Sequence, residues 1–562
     1  MTVSHAGPGT LRPAGIARAL GLALIVSAPM FYQLGRWPLL DPDEGRNAEV
    51  AREMLELGSW AVPRFNDLPF LDKPPLLFWS IAAAFRGLGI TEVAARLPSA
   101  LAGLAVVLLT MAAARMLLDR RTAFWAAAVV ATSPLVLVYA RLTIFDMPFT
   151  AFVTLALVCL LRRRLGGRAD VWLPMAGVAI GLAVLTKGPV GIALPLLAWA
   201  AARGALPPAP PTGRRPVLLA CLVCLAIVAP WLIMVARDEP AFLRYAIVDE
   251  TVLRFTSTAR FHRGEPFYYP LFVSGIGMGI WSAVLIGTAP LLFRGTGATD
   301  RQRIALRFAA RAAAAIILFF SVSASKRAGY VLPAFVPLGL LVAVAITMAS
   351  QRAAAAVRVA AIVAVGVAIV FAAIEWDPMA MASLSQGDGS GALTSSLLVV
   401  VGAICLVWGA LVFGARRRWA LAPVALAAAF GPGLYLGVQG PLMPFAEGRS
   451  AKQLASQVPA GATIVSFRHF RPSLPFYLGR PVQLATADGH ELTSNYVSSQ
   501  LQRFLNDGRL MTPASARSAI RDTSMVYVLT GASWTASLPR FRATPLTFVA
   551  RDRRSALWLA RD

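Results

Sequence analysis

Eight of the chain's 28 acidic residues fall between Leu40 and Pro75, in a protein whose formal net charge is +25. The stretch reads LDPDEGRNAEVAREMLELGSWAVPRFNDLPFLDKPP. Asp43 and Glu44 are adjacent carboxylates near a helix start. Asp43, on the first turn, suits a general base that accepts the proton of an attacking hydroxyl. Glu44 better suits capping and compensation of the helix dipole. Asp146, in RLTIFDMPF, ends an apolar hairpin. An acid at a membrane edge is costly unless it is paired or functional.

The cations are as selective. Of 53 basic residues only Lys73, Lys187, Lys326 and Lys452 are lysine. Lysine is a compact point charge where arginine is a planar fork, so a lysine kept in an arginine-rich chain marks a site the fork does not fit. Lys73 (Asp72-Lys73-Pro74-Pro75), Lys187 (Thr186-Lys187-Gly188-Pro189) and Lys326 (Ser325-Lys326-Arg327) each place a cation at an interface. Snorkelling to headgroups accounts for any one of them. All three on one face argue for a bound anion, most simply a lipid phosphate. His262 and Arg263, in the loop 237–266, are placed to close over it. There is no GxGxxG, P-loop or HExxH. Nucleotide and zinc-protease chemistry therefore lack support, no nucleic-acid partner is expected, and a divalent cation stays open as cofactor without a metal motif.

These residues need elements to hold them. The chain of 562 residues is 57% hydrophobic and 14% charged, with repeated apolar runs of membrane-crossing length. The expected fold class is mostly α: a polytopic membrane protein with about thirteen spans, near 16–34, 96–118, 122–140, 147–161, 171–186, 188–203, 216–236, 267–293, 304–322, 328–349, 358–375, 395–414 and 419–438. Arginine clusters such as Arg120-Arg121, Arg162-Arg163-Arg164 and Arg416-Arg417-Arg418 share the cytoplasmic side if Leu76–Ile90 is a partial or interfacial helix rather than a span. That solution puts the acidic loop (35–95) and Lys73, Lys187 and Lys326 together on the extracytoplasmic face. Asp41 is expected as N-cap, Pro42 as first helical residue and Glu44 as partner in a capping box. The helix that comes next carries Glu49, Arg52, Glu53 and Glu56 on one face, and is expected to lie on the membrane surface.

Residues 1–440 thus form the membrane domain. After Pro441 apolar runs shorten to strand length at Ala462–Phe467, Met525–Leu529, Leu546–Ala550 and Ala556–Leu559, with a helix around Arg449–Gln457. Residues 441–562 are expected as a small extracytoplasmic α/β domain. The four cysteines lie in apolar runs and imply packing, not a disulfide framework.

Taken with RLTIFDMPF, LTKGPVG, DETVLRF…HRGEPFYY and SASKRAGYVLPAF in this order, and SFRHFRPSLPFYLGRPV in the tail, the acidic loop strongly resembles the lipid-A aminoarabinose transferase and protein O-mannosyltransferase superfamily. The resemblance covers essentially the whole chain. It implies a GT-C fold and an inverting glycosyltransferase of the cell envelope that moves a sugar from a polyprenyl-phosphate donor, such as undecaprenyl phosphate, to a lipid (lipid A-like), glycan or protein acceptor. By that resemblance Asp43 is the key first-loop carboxylate, Lys73 lies near the donor phosphate and Tyr330 is a site tyrosine. Glu44, Arg46, Asp146, His262 and Arg263 fall on motif positions. Lys187, Lys326 and Arg263 are candidates to help Lys73 with the phosphate, and Asp72 to contact substrate. Asn47 stands where aminoarabinose transferases usually have Tyr, and Asp72 where they usually have Glu. The competing class is a membrane transporter or flippase, which also places charges among spans but usually at mid-bilayer.

Overall fold

The computed structural model describes residues 21, 23–253, 265–294, 297–348, 443–522, 525–532 and 546–560. His262, Arg263 and the expected spans 358–375, 395–414 and 419–438 lie outside these residues. Helix α1 (Asp43–Leu57) is followed by a two-stranded hairpin, β1 (Arg64–Phe65) and β2 (Leu68–Pro69). A short apolar helix, α2 (Leu76–Leu88), comes next. Its 13 residues make about 20 Å at the helical rise, too little for a ~30 Å hydrocarbon core.

The bundle consists of α3 (Glu92–Leu117), α4 (Arg120–Thr132), α5 (Pro134–Ala140), α6 (Asp146–Arg164), α7 (Ala169–Lys187), α8 (Val190–Ala202) and α9 (Arg214–Asp238). After a turn at Phe242–Arg244 and a π-helix at Tyr245–Leu253 come α10 (Tyr269–Met278), α11 (Ile280–Arg294) and α12 (Asp300–Val322). A 3-10 stretch, Ala328–Ala334, leads into α13 (Phe335–Met348). Helix α7 packs between α6 and α9, α3 against α4 and α6, and α12 against α8 and α13. Among the described residues five helices are long and apolar enough to cross a membrane, or up to seven if each bent pair is one span.

Two expected spans are bent. The run 122–140 breaks by 64° at Ser133-Pro134, where proline removes a helical donor. The run 267–293 turns by 106° at Gly279, whose φ of +58° is left-handed backbone that glycine takes without strain. The segment expected as an irregular loop, 237–266, holds the π-helix.

In the tail, β3 (Thr463–Phe467), β4 (Gln483–Ala485), β5 (Val526–Gly531), β6 (Leu546–Arg551) and β7 (Ser555–Ala560) form one sheet in the order β4-β3-β5-β7-β6. β3 is parallel to both β4 and β5, while β7 is antiparallel to β5 and β6. Four strands coincide with the expected runs. The three-residue β4 is additional, and the helix expected at Arg449–Gln457 shrinks to Lys452–Ala455.

The larger departure concerns α1. It does not lie on a surface: Glu44, Asn47, Glu49, Arg52 and Glu53 are all buried. One apolar cluster joins the first loop (Val50, Phe65, Phe78), helix α9 (Trp231) and the tail (Phe476, Tyr496, Leu557). Gly45 permits this closeness, since a Cβ there would stand 2.6 Å from the Ser473 backbone. The polar stripe of α1 faces protein. Arg52 bonds Glu49 and the Gly479 carbonyl (3.0 Å), and Glu53 accepts from the Asn66 and Asp67 amides. Burial, reinforced by Glu49, pushes the Glu53 carboxyl up to about 9.

The capping expectation fails in the same way. Asp41 caps nothing: it pairs with Arg471 at 2.7 Å and accepts from the Ser473 amide at 2.6 Å, both in the tail. Helix α1 begins at Asp43, after Pro42, without a side-chain cap.

Candidate active site

A cavity of about 690 Å³ opens where α1, the loop before α2, the ends of α6, α7 and α12, the π-helix and the tail segment 493–495 meet. Asp43, Arg46, Asp72, Lys73, Asp146, Lys187 and Tyr330 all line it. Residues far apart in sequence, singled out by their chemistry, thus share one wall.

Asp43 presents a third of its side-chain surface to solvent and is held by two guanidiniums, Arg46 on its own helix and Arg327 at 3.3 Å. Arg46 also donates to Thr493 Oγ1 of the tail at 2.8 Å and stacks over Phe70. A carboxylate oriented by two fixed cations can direct an incoming hydroxyl or phosphate. Asp146 opens α6 and pairs with Lys187, the last residue of α7, at 2.7 Å. The Lys187 ammonium also sits 4.4 Å from the Tyr330 ring centre and 5.2 Å from that of Phe149, so aromatic faces share its charge. Gly329 leaves room for that group: a Cβ there would lie 2.6 Å from Asp146.

Lys73 donates to the Asp72 carbonyl at 2.8 Å and pairs with Glu250 at 3.3 Å. The Asp72 carboxylate is bonded elsewhere than to the Lys73 ammonium. It accepts from Tyr245 Oη (2.5 Å) and from the Asn495 and Tyr496 amides (2.9 Å each). Burial, and then the Glu250 charge, raise its pKa above the ordinary carboxylate value. It therefore ties the loop to the tail at the cavity wall. Asn47 donates to the Thr143 carbonyl at 2.8 Å.

Two expected site residues lie elsewhere. Glu44 is buried off the cavity, in a two-pronged pair with Arg96 (Nε–Oε1 and Nη2–Oε2, both 2.8 Å), and accepts from the Thr143 amide at 3.0 Å. It neither completes a capping box nor faces the site, although it does reach back to the Leu40 amide at 3.1 Å. Lys326 is also buried and off the cavity, while Arg327 lines it. Arg327 has extended backbone (φ −143°, ψ 152°), in which successive side chains point to opposite sides. Sequence reasoning misses Arg96, Arg327, Tyr245, Glu250, Thr493 and Asn495. Two of them carry a usable signal: Arg96, as a charge just inside the first long apolar helix, and Glu250, in the DETVLRF stretch.

The lining also has an apolar part, with Val184, Val190, Val228, Trp231, Leu243 and Ile247. Leu243 and Ile247 are also exposed, so the apolar part of the lining extends to residues that solvent reaches. Among the described residues no three His, Cys, Asp or Glu side chains come together to hold a metal.

Residues 16–246 match the family model described as dolichyl-phosphate-mannose-protein mannosyltransferase. The chain is 32% identical over 336 residues to an undecaprenyl phosphate-alpha-4-amino-4-deoxy-L-arabinose arabinosyl transferase of Pseudomonas fluorescens, covering 57% of this chain and 54% of that one. The match thus spans about half the length of such relatives. ArnT from Cupriavidus metallidurans in its apo state superposes with a TM-score of 0.77 at 25% identity, over 97% of this chain and 98% of that one. The same enzyme bound to undecaprenyl phosphate gives 0.79 at 24% identity, over 98% of both chains.

Proposed function

We propose that this chain is an integral-membrane inverting glycosyltransferase of the aminoarabinose transferase and protein O-mannosyltransferase superfamily that takes a sugar from a polyprenyl-phosphate donor, a reading supported by the match over residues 16–246 and by the similar transferases. The acceptor is a lipid of the lipid A type, with glycan and protein as the other acceptor classes. The observation that carries the reading is the cavity itself, lined both by Asp43, Lys73, Asp146 and Lys187 and by a set of apolar side chains. This shape suits a phosphate with a prenyl tail. A transporter needs such charges on an alternating path, and here they gather at helix ends and in loops.

In this mechanism Lys73, with Arg327 of the same cavity, neutralises the leaving phosphate, where negative charge grows in the transition state. The acceptor oxygen attacks the anomeric carbon from the face opposite the phosphate. The new carbon–oxygen bond forms as the carbon–oxygen bond to phosphate breaks, and the electron pair leaves with the phosphate. Asp43 takes the proton of a hydroxyl acceptor, or orients an acceptor that is already an ionised phosphate. The Asp146–Lys187 pair and Tyr330 shape the floor. The proposal includes about thirteen spans in a bacterial-type inner membrane, with the cavity and tail on the extracytoplasmic side.

The test is transfer by purified protein from undecaprenyl-phosphate-linked aminoarabinose to lipid A. Asp43→Asn should lower turnover by about 10²-fold or more while folding and undecaprenyl phosphate binding persist. Normal turnover by that variant would remove Asp43 from the mechanism. Mass spectrometry of envelope lipids and glycans from a deletion strain identifies the sugar and acceptor.

A further inference from the structure

Lys73 already has an anion. Its ammonium lies 3.3 Å from Glu250 Oε2, and both groups line the cavity. The Glu250 side chain is 9% exposed, so water screens the pair poorly. Glu250 does not depend on Lys73 alone: its Oε1 accepts from Asn495 Nδ2 at 2.9 Å and from Tyr245 Oη at 3.3 Å. It lies on the π-helix, whereas Lys73 belongs to the first loop and Asn495 to the tail.

Local charge limits what this corner can hold. Asp72 and Glu250 are two carboxylates beside one ammonium, close enough that the Glu250 charge raises the pKa of Asp72. A donor phosphate at Lys73 would be a third anion there. Like charges at such separations oppose each other strongly in a half-buried site. Tyr245 and Asn495 offer Glu250 partners that survive loss of the lysine contact.

We infer that Glu250 is a resident counter-ion of Lys73 that competes with the donor phosphate, a positioning residue that keeps Lys73 paired in the empty site and withdraws to Tyr245 and Asn495 when donor binds. This role rests on the donor reading above and adds a residue to it. Its effect is opposite in sign to that of an ordinary structural residue. Removing the acid strengthens anion binding, whereas loss of a merely structural contact weakens it.

The experiment measures binding of undecaprenyl phosphate to full-length protein in detergent, with thermal melting in parallel. Wild type should bind, and Lys73→Ala should bind weakly. Glu250→Gln, which keeps the hydrogen bonds to Tyr245 and Asn495 but not the charge, should bind roughly two- to fivefold tighter, the scale of a partly exposed ion pair. In turnover assays its KM for donor should fall without a rise in kcat. Should Glu250→Gln melt early, Glu250→Asp, with its carboxylate drawn back from Lys73, should shift affinity in the same direction by less. If wild type binds and neither variant binds more tightly, the inference is wrong and the donor reading stands. If wild type binds no undecaprenyl phosphate, both fall.

Discussion

Arg96 offers the sharpest test of how the site is held. It is 3% exposed, and every donor of its fork is used. Nε and Nη2 hold the Glu44 carboxylate, while Nη1 and Nη2 serve the Leu34, Trp37 and Pro38 carbonyls at 2.7–3.0 Å. Glu44 in turn holds the Thr143 amide, three residues before Asp146. This one guanidinium therefore fixes the entry to α1, which carries Asp43, relative to the loop that delivers Asp146. Arg96→Ala leaves a buried carboxylate unpaired, an effect of about 3–5 kcal/mol. It should appear as a fall in melting temperature on the order of 3–4 °C. Adding Glu44→Gln removes the stranded charge but not the orphaned carbonyls, so the double variant should recover part of the loss, never all. Glu44→Gln alone should reduce transfer only as far as it reduces stability. The assay is thermal unfolding in detergent for both single variants and the double. Losses that simply add, or an Arg96→Ala protein as stable as wild type, would refute the pairing argument.

The buried polar groups and the arginine pattern give two further outcomes. Glu53, raised from 4.5 to about 9, is protonated in the folded protein at neutral pH and ionised in the unfolded chain. Folding therefore takes up a proton, and the Glu53 contribution favours the fold most below about pH 4.5 and is lost as pH rises toward 9. Glu53→Gln should flatten the fall in melting temperature across that window; an unchanged slope would mean the carboxyl is ionised in the fold. For topology, a reporter after Arg121 should read cytoplasmic, and reporters at Asp67 and in the tail extracytoplasmic. Finding Arg121 outside would mean that Leu76–Leu88 crosses after all.

How much of this is legible in the sequence is set by period and charge. Helix α1, the short α2 and four of the five tail strands follow from apolar spacing. Asp43, Lys73, Asp146 and Lys187 stand out as charges where hydrocarbon or its edge makes them costly, and they meet in one cavity. Periodicity does not say what covers a polar face, and α1 shows the consequence. Glu49, Arg52 and Glu53 share a stripe that looks made for water or headgroups, but each finds its partner inside the protein. Lys326 and Arg327 show a finer limit. Two adjacent cations are equivalent in a pattern, and only the local extended backbone decides which one turns to the cavity. Thr493 and Asn495 come from segments with no chemical signature of their own, and Glu250 lies in the DETVLRF stretch, where pattern alone gives it no partner.

The tail is more than an attachment to the bundle. It closes the cavity with Thr493 and Asn495, anchors Asp41 through Arg471, and grips the first loop through reciprocal bonds between Asn66 and Val482 of 2.8 and 2.7 Å. Lys452 reaches Glu92 at the start of α3, and Arg503 reaches Glu239 beyond the end of α9. Thr493 and Asn495 also bond Arg46, the partner of Asp43, and Asp72, the neighbour of Lys73. Buried ion pairs cost desolvation and give little net stability over apolar packing, but breaking one partner is expensive. Such an arrangement suits geometry that must be unique more than a fold that must be strong. In a transferase of the proposed kind the separation between the two substrates' reacting atoms is set by two segments, α1 and the Asp72-Lys73 loop, and the tail is bonded to both.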